Sequence, residues 1–173
     1  MNGGVIADEE VQEILQLADW APTHARTEPW RFVVYSNEQV FPFCQIHADL
    51  YKQNTDETFF LQAKYDNLLH MGDKTSHIVI AYMVRTPTHK IPEIEEVAAS
   101  ACAIQNILLG ATSKGISSFW STGGLAHHPA LKEYLKLGKE DRVMGIFYLG
   151  YTDEPLRPGS RMIPLSEKIQ WVK

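Results

Sequence analysis

The sequence predicts helices packed on the faces of a β-sheet, and three observations carry that expectation. "HIVIAYMV", His77 to Val84, is a nearly uninterrupted apolar run of the kind that forms a central strand covered on both sides. From Pro92 to Lys114 runs a long helical stretch in which Ala98, Ala99, Ser100, Ala101, Cys102 and Ala103 make almost every face small, so that neighbours can approach it closely from several directions. Around these two, helical and strand patterns alternate in the order helix, strand, two helices, strand, long helix, strand, helix, strand. Periodicity alone leaves a doubly wound α/β sheet and an α+β arrangement both open.

The elements follow in order. Asp8 is positioned to cap a helix whose apolar residues Val11, Ile14, Leu15 and Ala18 repeat at i, i+3, i+4 and i+7, and Pro22 forbids its continuation. "WAPTHARTEPWRFVVY", Trp20 to Tyr35, then turns the chain into a strand over Phe32–Tyr35, stopped by Ser36-Asn37, with Trp30 anchoring it in the core. Helices are expected around Val40 to Tyr51 and Glu57 to Leu69, and His77 to Val84 falls in the middle of the sheet. Gly115 ends the long helix, "ISSFW" reads as a strand leading into "STGGL", and a helix near Pro129 to Leu137 precedes the strand "VMGIFYLGY" and a proline-rich tail. With no repeat, low-complexity segment or linker, the 173 residues read as a single domain spanning 1–173.

Composition removes several function classes. Sixteen Lys and Arg against twenty-one Asp and Glu give a net charge of −5, which offers no general attraction to nucleic acid or an anionic membrane. Cys44 and Cys102 have no CxxC spacing and read as two buried thiols of a reduced, cytoplasmic chain. No stretch approaches the roughly 20 consecutive apolar residues of a membrane helix, and no targeting pattern opens the chain. GxGxxG after a strand, GxxxxGK[ST], HExxH and GxSxG are all missing. His127-His128 point in different directions in any regular element and make a poor chelate, so no metal site is expected.

Three segments carry donors without an evident structural need: Thr23, His24 and Arg26; Trp120-Ser121-Thr122-Gly123-Gly124; and Arg157 with Arg161. Singly, each has an ordinary reading, as turn former, core aromatic or positive-φ glycine. Together they suit a flat polar ring bearing a phosphate, since aromatics pack the ring, hydroxyls and backbone N–H groups bond its edge, and arginine meets the phosphate.

At these residues the chain resembles the nitroreductase family. "ADWAPTHARTEPWRFVV" is similar to its opening signature, "EEVAASACAIQNILLGATSKGISSFWSTGGL" to its long Ala-rich helix, Gly turn and strand, and "GIFYLGY" with "RMIPLSEKIQWV" to its closing strand and tail. The resemblance implies an α+β fold, with a central mixed sheet flanked by helices and the small-residue helix in the core of a homodimer. It also implies FMN bound between subunits. Carried over by position, Trp20, Thr23, His24 and Arg26 would contact FMN from the partner. Trp120, Ser121, Thr122 and Gly123 would line the flavin ring, and Arg161 would reach its phosphate. Gly110, Ala111, Thr112, Ser113, Lys114 and Gly115 would fall on a nicotinamide-cofactor stretch. NADH or NADPH would then reduce the flavin, and an electron-poor small molecule such as a nitroaromatic or quinone would reoxidise it by ping-pong exchange; no catalytic side chain is named.

Two departures qualify the resemblance. Family members usually begin with a helix carrying an Arg-Arg-Ser-like triplet for the FMN phosphate, whereas this chain opens at "MNGGVIADEE". Each lost charge-assisted contact would weaken flavin binding about ten- to hundredfold. Ser121 stands where one related branch has arginine. The competing expectation is therefore a non-enzymatic dimeric domain of the same fold with weak or lost flavin binding.

Overall fold

The computed structural model describes residues 1–155 and 158–173. Helices α1 (Asp8–Ala18), α2 (Val40–Gln53), α3 (Gln62–His70), α4 (Glu93–Ser113) and α5 (Pro129–Tyr134) accompany strands β1 (Trp30–Ser36), β2 (His77–Met83), β3 (Ser117–Ser121) and β4 (Arg142–Gly150). The sheet order is β1-β2-β4-β3.

The apolar run at β2 lies in the interior of the sheet because helices cover both its faces. Val79 and Ala81 point into one core with Ile14 and Ala18 of α1 and Ala103, Ile104 and Ile107 of α4. Ile78 and Ile80 point into the other, with Phe43 and Cys44 of α2 and Leu131 of α5. Strand β4 alternates in the same way, Phe147 and Leu149 facing the first core and Ile146 and Tyr148 the second. The architecture is α+β, three layers deep. The expected mixed sheet is corrected in one respect: all three described strand pairings are antiparallel. The helical excursion through α4 leads from β2 to β3, which pairs with β4 and not with β2, so it makes no parallel neighbour.

Local chemistry shifts several boundaries. Ala7, not Asp8, occupies the N-cap of α1. The Asp8 carboxylate instead accepts a hydrogen bond from His77 Nε2 at 2.8 Å. Ser76 Oγ lies 2.9 Å from the other ring nitrogen and accepts the Ile6 N–H at 2.8 Å, which ties the start of α1 to β2. Helix α3 begins five residues later than Glu57, at Gln62, because Asp56 folds back on Thr58, accepting its N–H at 2.9 Å and its hydroxyl at 2.6 Å. Cys44 is buried as expected, but Cys102 is exposed on the outer side of α4.

Helix α4 is long and apolar enough by composition to cross a bilayer, yet Ala99, Ser100, Ala103, Ile104, Ile107, Gly110 and Ala111 are buried against protein. Its acidic first turn, Glu93, Glu95 and Glu96, suits the positive end of the helix. Glu96 has no exposed surface. It takes hydrogen bonds from the Arg85 guanidinium and the Thr86 hydroxyl, and Arg85 also donates to the Ile91 carbonyl at 2.8 Å. Burial pushes the Glu96 carboxyl up, but the Thr86 and Arg85 hydrogen bonds outweigh it and hold the group below the usual range. Near the other end, a Cβ on Gly110 would lie 2.8 Å from Leu17 Cδ1, so the bare glycine sets how closely α1 and α4 approach.

Beyond β4, residues 158–173 form an arm with Met162, Leu165, Trp171 and Val172 exposed, interrupted by a short 3₁₀ turn at Leu165–Lys168.

Replacing Glu96 by alanine would leave Arg85 largely buried without its counter-charge. The expected cost is about 3–5 kcal/mol, read as a lower midpoint in urea unfolding, with Glu96→Gln intermediate.

Candidate functional site

After α1 the chain closes a turn against its own side chains. Thr23 Oγ1 accepts the Glu28 N–H at 3.1 Å and pairs with Thr27 Oγ1 at 3.1 Å, so this hydroxyl shapes the turn. Ala25, Arg26 and Glu28 all adopt positive φ, at 53°, 55° and 43°. Three such non-glycine residues in four positions mark a strained segment held by its surroundings. The turn is docked at both ends. Trp30 Nε1 donates to Asp19 at 3.1 Å while its ring is buried, and His24 hydrogen-bonds Glu95 in the first turn of α4. Arg26 is exposed and has no hydrogen-bond or ionic partner among the described residues. Trp20 is 86% exposed beside a groove of about 460 Å³ lined with Leu17, Asn106, Leu109 and Gly110.

The second segment lies at the end of edge strand β3. The Trp120 ring stacks on Phe147, with centroids 5.4 Å apart and planes at 28°. Its Nε1–H donates to the Met144 carbonyl at 3.1 Å. Two features of β4 create that seat. A register shift opposite Ala81/Tyr82 leaves Met144 without a partner on β2, and Gly145 keeps the space clear, since a Cβ there would lie 2.1 Å from the indole nitrogen. Trp120 is thus fixed from behind with its other side open. Ser121 Oγ accepts the Gly123 N–H at 3.3 Å, and Thr122 and Gly123 are exposed.

His47, which carries no motif in the sequence, supports this loop from below. It is buried in α2, stacked on Phe43 at 5.8 Å, and its Nε2 accepts the Leu125 N–H at 3.4 Å. Gly124, at φ +63°, leaves room for the imidazole, because a Cβ there would approach Nε2 to 2.7 Å. Burial, with a smaller contribution from the charge of Lys64, lowers the His47 pKa to about 4. The ring is therefore neutral at pH 7 and can act as an acceptor. Only the glycine pair in "STGGL" hinted at a close approach here; the approaching residue lies far away in sequence.

The remaining candidates divide. Arg161 is exposed on the arm and donates to its neighbour's carbonyl at Ser160, 3.0 Å away. Arg157 lies outside the described residues. Among the described residues no hydrogen bond or ion pair joins the turn, the Trp120 segment and Arg161 within one chain. Gly110 to Gly115 serve helix packing and termination: Gly110 and Ala111 are buried, Thr112 and Ser113 bond the Leu108 and Gly110 carbonyls, Lys114 pairs with Glu13, and Gly115 adopts φ +71°.

The nitroreductase family model matches residues 4–151. The chain belongs to the nitroreductase family. It is 24% identical over 142 residues to the Escherichia coli protein YdjA, named provisionally as an NAD(P)H nitroreductase, covering 82% of this chain and 75% of that one. A nitroreductase-like family protein from Bacillus cereus superposes with a TM-score of 0.80 at 28% identity, covering 99% and 88% of the two chains. A Bacteroides fragilis nitroreductase with bound FMN shares the fold at a TM-score of 0.69 and 21% identity, covering 99% and 91%.

The His47 imidazole makes stability depend on pH. Its pKa is near 6.5 in an unfolded chain and about 4 in the fold. The unfolded state therefore takes up the proton first, so this contribution is complete above pH 6.5 and is lost as the pH falls towards 4. Urea unfolding at pH 7.5 and 4.5 should show a drop of about 2–3 kcal/mol that His47→Gln, which keeps an acceptor but does not titrate, largely removes.

Proposed function

We propose that the protein is a soluble, cytoplasmic FMN-dependent oxidoreductase that works as a homodimer, taking reducing equivalents from NADH or NADPH and passing them to an electron-poor small molecule such as a nitroaromatic or quinone. The observation that carries this reading is the Trp120–Gly123 segment, braced from behind by Phe147, Met144 and His47 and open in front. Family membership supports a flavin as its occupant.

The residues present fit that group. The free side of Trp120 offers a flat apolar surface, and Thr122 and the exposed backbone beside it offer polar partners along a ring edge. Trp20 and Arg26 of a second copy supply an aromatic and a cationic group that no hydrogen bond or ion pair among the described residues uses, and its exposed His24, bonded to Glu95, and Arg161 on the arm add further polar and cationic groups. When bound, FMN supplies the hydride and electron exchange itself. The chain's share is to orient the ring, shield it from water and place donor and acceptor in turn over one face. No side-chain acid or nucleophile is required.

A second copy is supported by the outer side of α4, where Ile94, Ala98, Cys102, Gln105 and Leu109 form an exposed stripe continuous with Leu17 and Trp20, and by the apolar residues of the arm. Free Cys44 and Cys102 are compatible with a reducing compartment.

Purified protein mixed with FMN and freed of unbound flavin should be yellow, run as a dimer in sedimentation, and bleach on addition of NADH or NADPH. Trp120→Ala should weaken FMN binding about tenfold. A colourless dimer would favour the non-enzymatic reading, and a yellow protein that neither reagent bleaches would remove the nicotinamide donor.

A further inference from the structure

A pocket of about 370 Å³ lies between the strained turn after α1 and the loop that follows β2. Its floor is apolar or already neutralised. Pro29, Val84 and Ile91 provide the apolar part, while Arg85 and Thr86 are committed to Glu96. Its rim is cationic. Arg26, Arg31 and Lys90 surround the opening together with the hydroxyls of Thr27 and Thr88, and no Asp or Glu lines it. The Arg31 head is fixed by two hydrogen bonds of 2.7 Å from Nη1 to the Glu28 and Trp30 carbonyls, leaving Nε and Nη2 unpartnered among the described residues. Arg26 and Lys90 likewise have no partner among the described residues.

Among the described residues no carboxylate around the pocket is paired with these three cations. Glu95 bonds His24, Glu93 pairs with Arg142, Glu140 with His89, Glu96 with Arg85, and Asp141 accepts the Arg85 and Gly138 N–H groups. Glu28 stands outside the lining. A protein of net charge −5 therefore gathers three unpaired cations around one concave opening. Such a cleft concentrates a positive field. Arginine forks and a flexible lysine over an apolar floor suit a compact dianion carried on an organic body.

We propose that this pocket binds a phosphate monoester, with Arg26, Arg31 and Lys90 as its ligands. The adenosine 2′-phosphate of NADPH and the ribityl phosphate of FMN are the two sources that the proposed function supplies. That link rests on the function proposed above; phosphate binding itself does not.

The test uses the full chain without flavin, titrated calorimetrically with inorganic phosphate, adenosine 2′-monophosphate and adenosine. The 2′-monophosphate should bind at least about tenfold more tightly than adenosine. Arg26→Gln and Lys90→Gln, both at exposed positions, should each weaken its binding about five- to tenfold, while Lys52→Gln, on α2 over the Tyr65 ring and outside the lining, should not. Equal binding of the 2′-monophosphate and adenosine, or affinities unchanged in both rim variants, would overturn the proposal.

The source is then read separately. A rim variant that raises the KM for NADPH but not for NADH assigns the donor, and one that weakens FMN but not riboflavin assigns the flavin tail. Phosphate binding that depends on the rim in a protein that binds no FMN would leave this site standing while the proposed function falls.

Discussion

The buried carboxylate of Glu96 is the constraint on which the working end of the molecule depends. Exposed ion pairs nearby, such as Glu93 with Arg142, are screened by water and contribute little. Glu96 is of another kind, because neither it nor Arg85 can be solvated if the other leaves. Its bonds to Arg85 and Thr86 lock the loop after β2 to the first turn of α4, and the Arg85 N–H reaches on to Asp141 ahead of β4. Three elements are thereby fixed at one corner. Glu95, the preceding residue, then meets His24, so the turn after α1 takes its position from the same helix end.

The far end of α4 is set by contact rather than charge, where Gly110 admits Leu17 and lets α1 settle on the helix. With both ends fixed, α4 covers one face of the sheet and leaves its other side uncovered. The sheet contributes its own device at Met144 and Gly145, where one unpaired residue and one missing side chain give the Trp120 indole a carbonyl to bond and a space to occupy.

Much of this was legible in the sequence, and what was not shares a cause. The apolar run at β2 and the small-residue helix have periodicities that survive any tertiary context, so their location and burial could be read directly, as could Trp30 as a core anchor. The errors fell where a side chain had two possible partners. Asp8 looked like a cap because the cap is local, but it bonds His77 across the fold. Glu57 looked like a helix start until Asp56 bonded Thr58. Cys102 is expected inside because a free thiol without CxxC spacing usually packs as a small apolar group, and that tendency does not say which side of its helix faces protein in one chain. His47 was invisible because its role comes from a glycine loop far along the chain.

The arm after β4 has a consequence for the protein in dilute solution. Met162 is wholly exposed, and Trp171 and Val172 nearly so, at 81% and 89%, in a single chain. Water in contact with those side chains favours any state that covers them. Where a second copy provides the cover, the folded population follows the law of mass action, and the protein becomes less robust as it becomes scarcer.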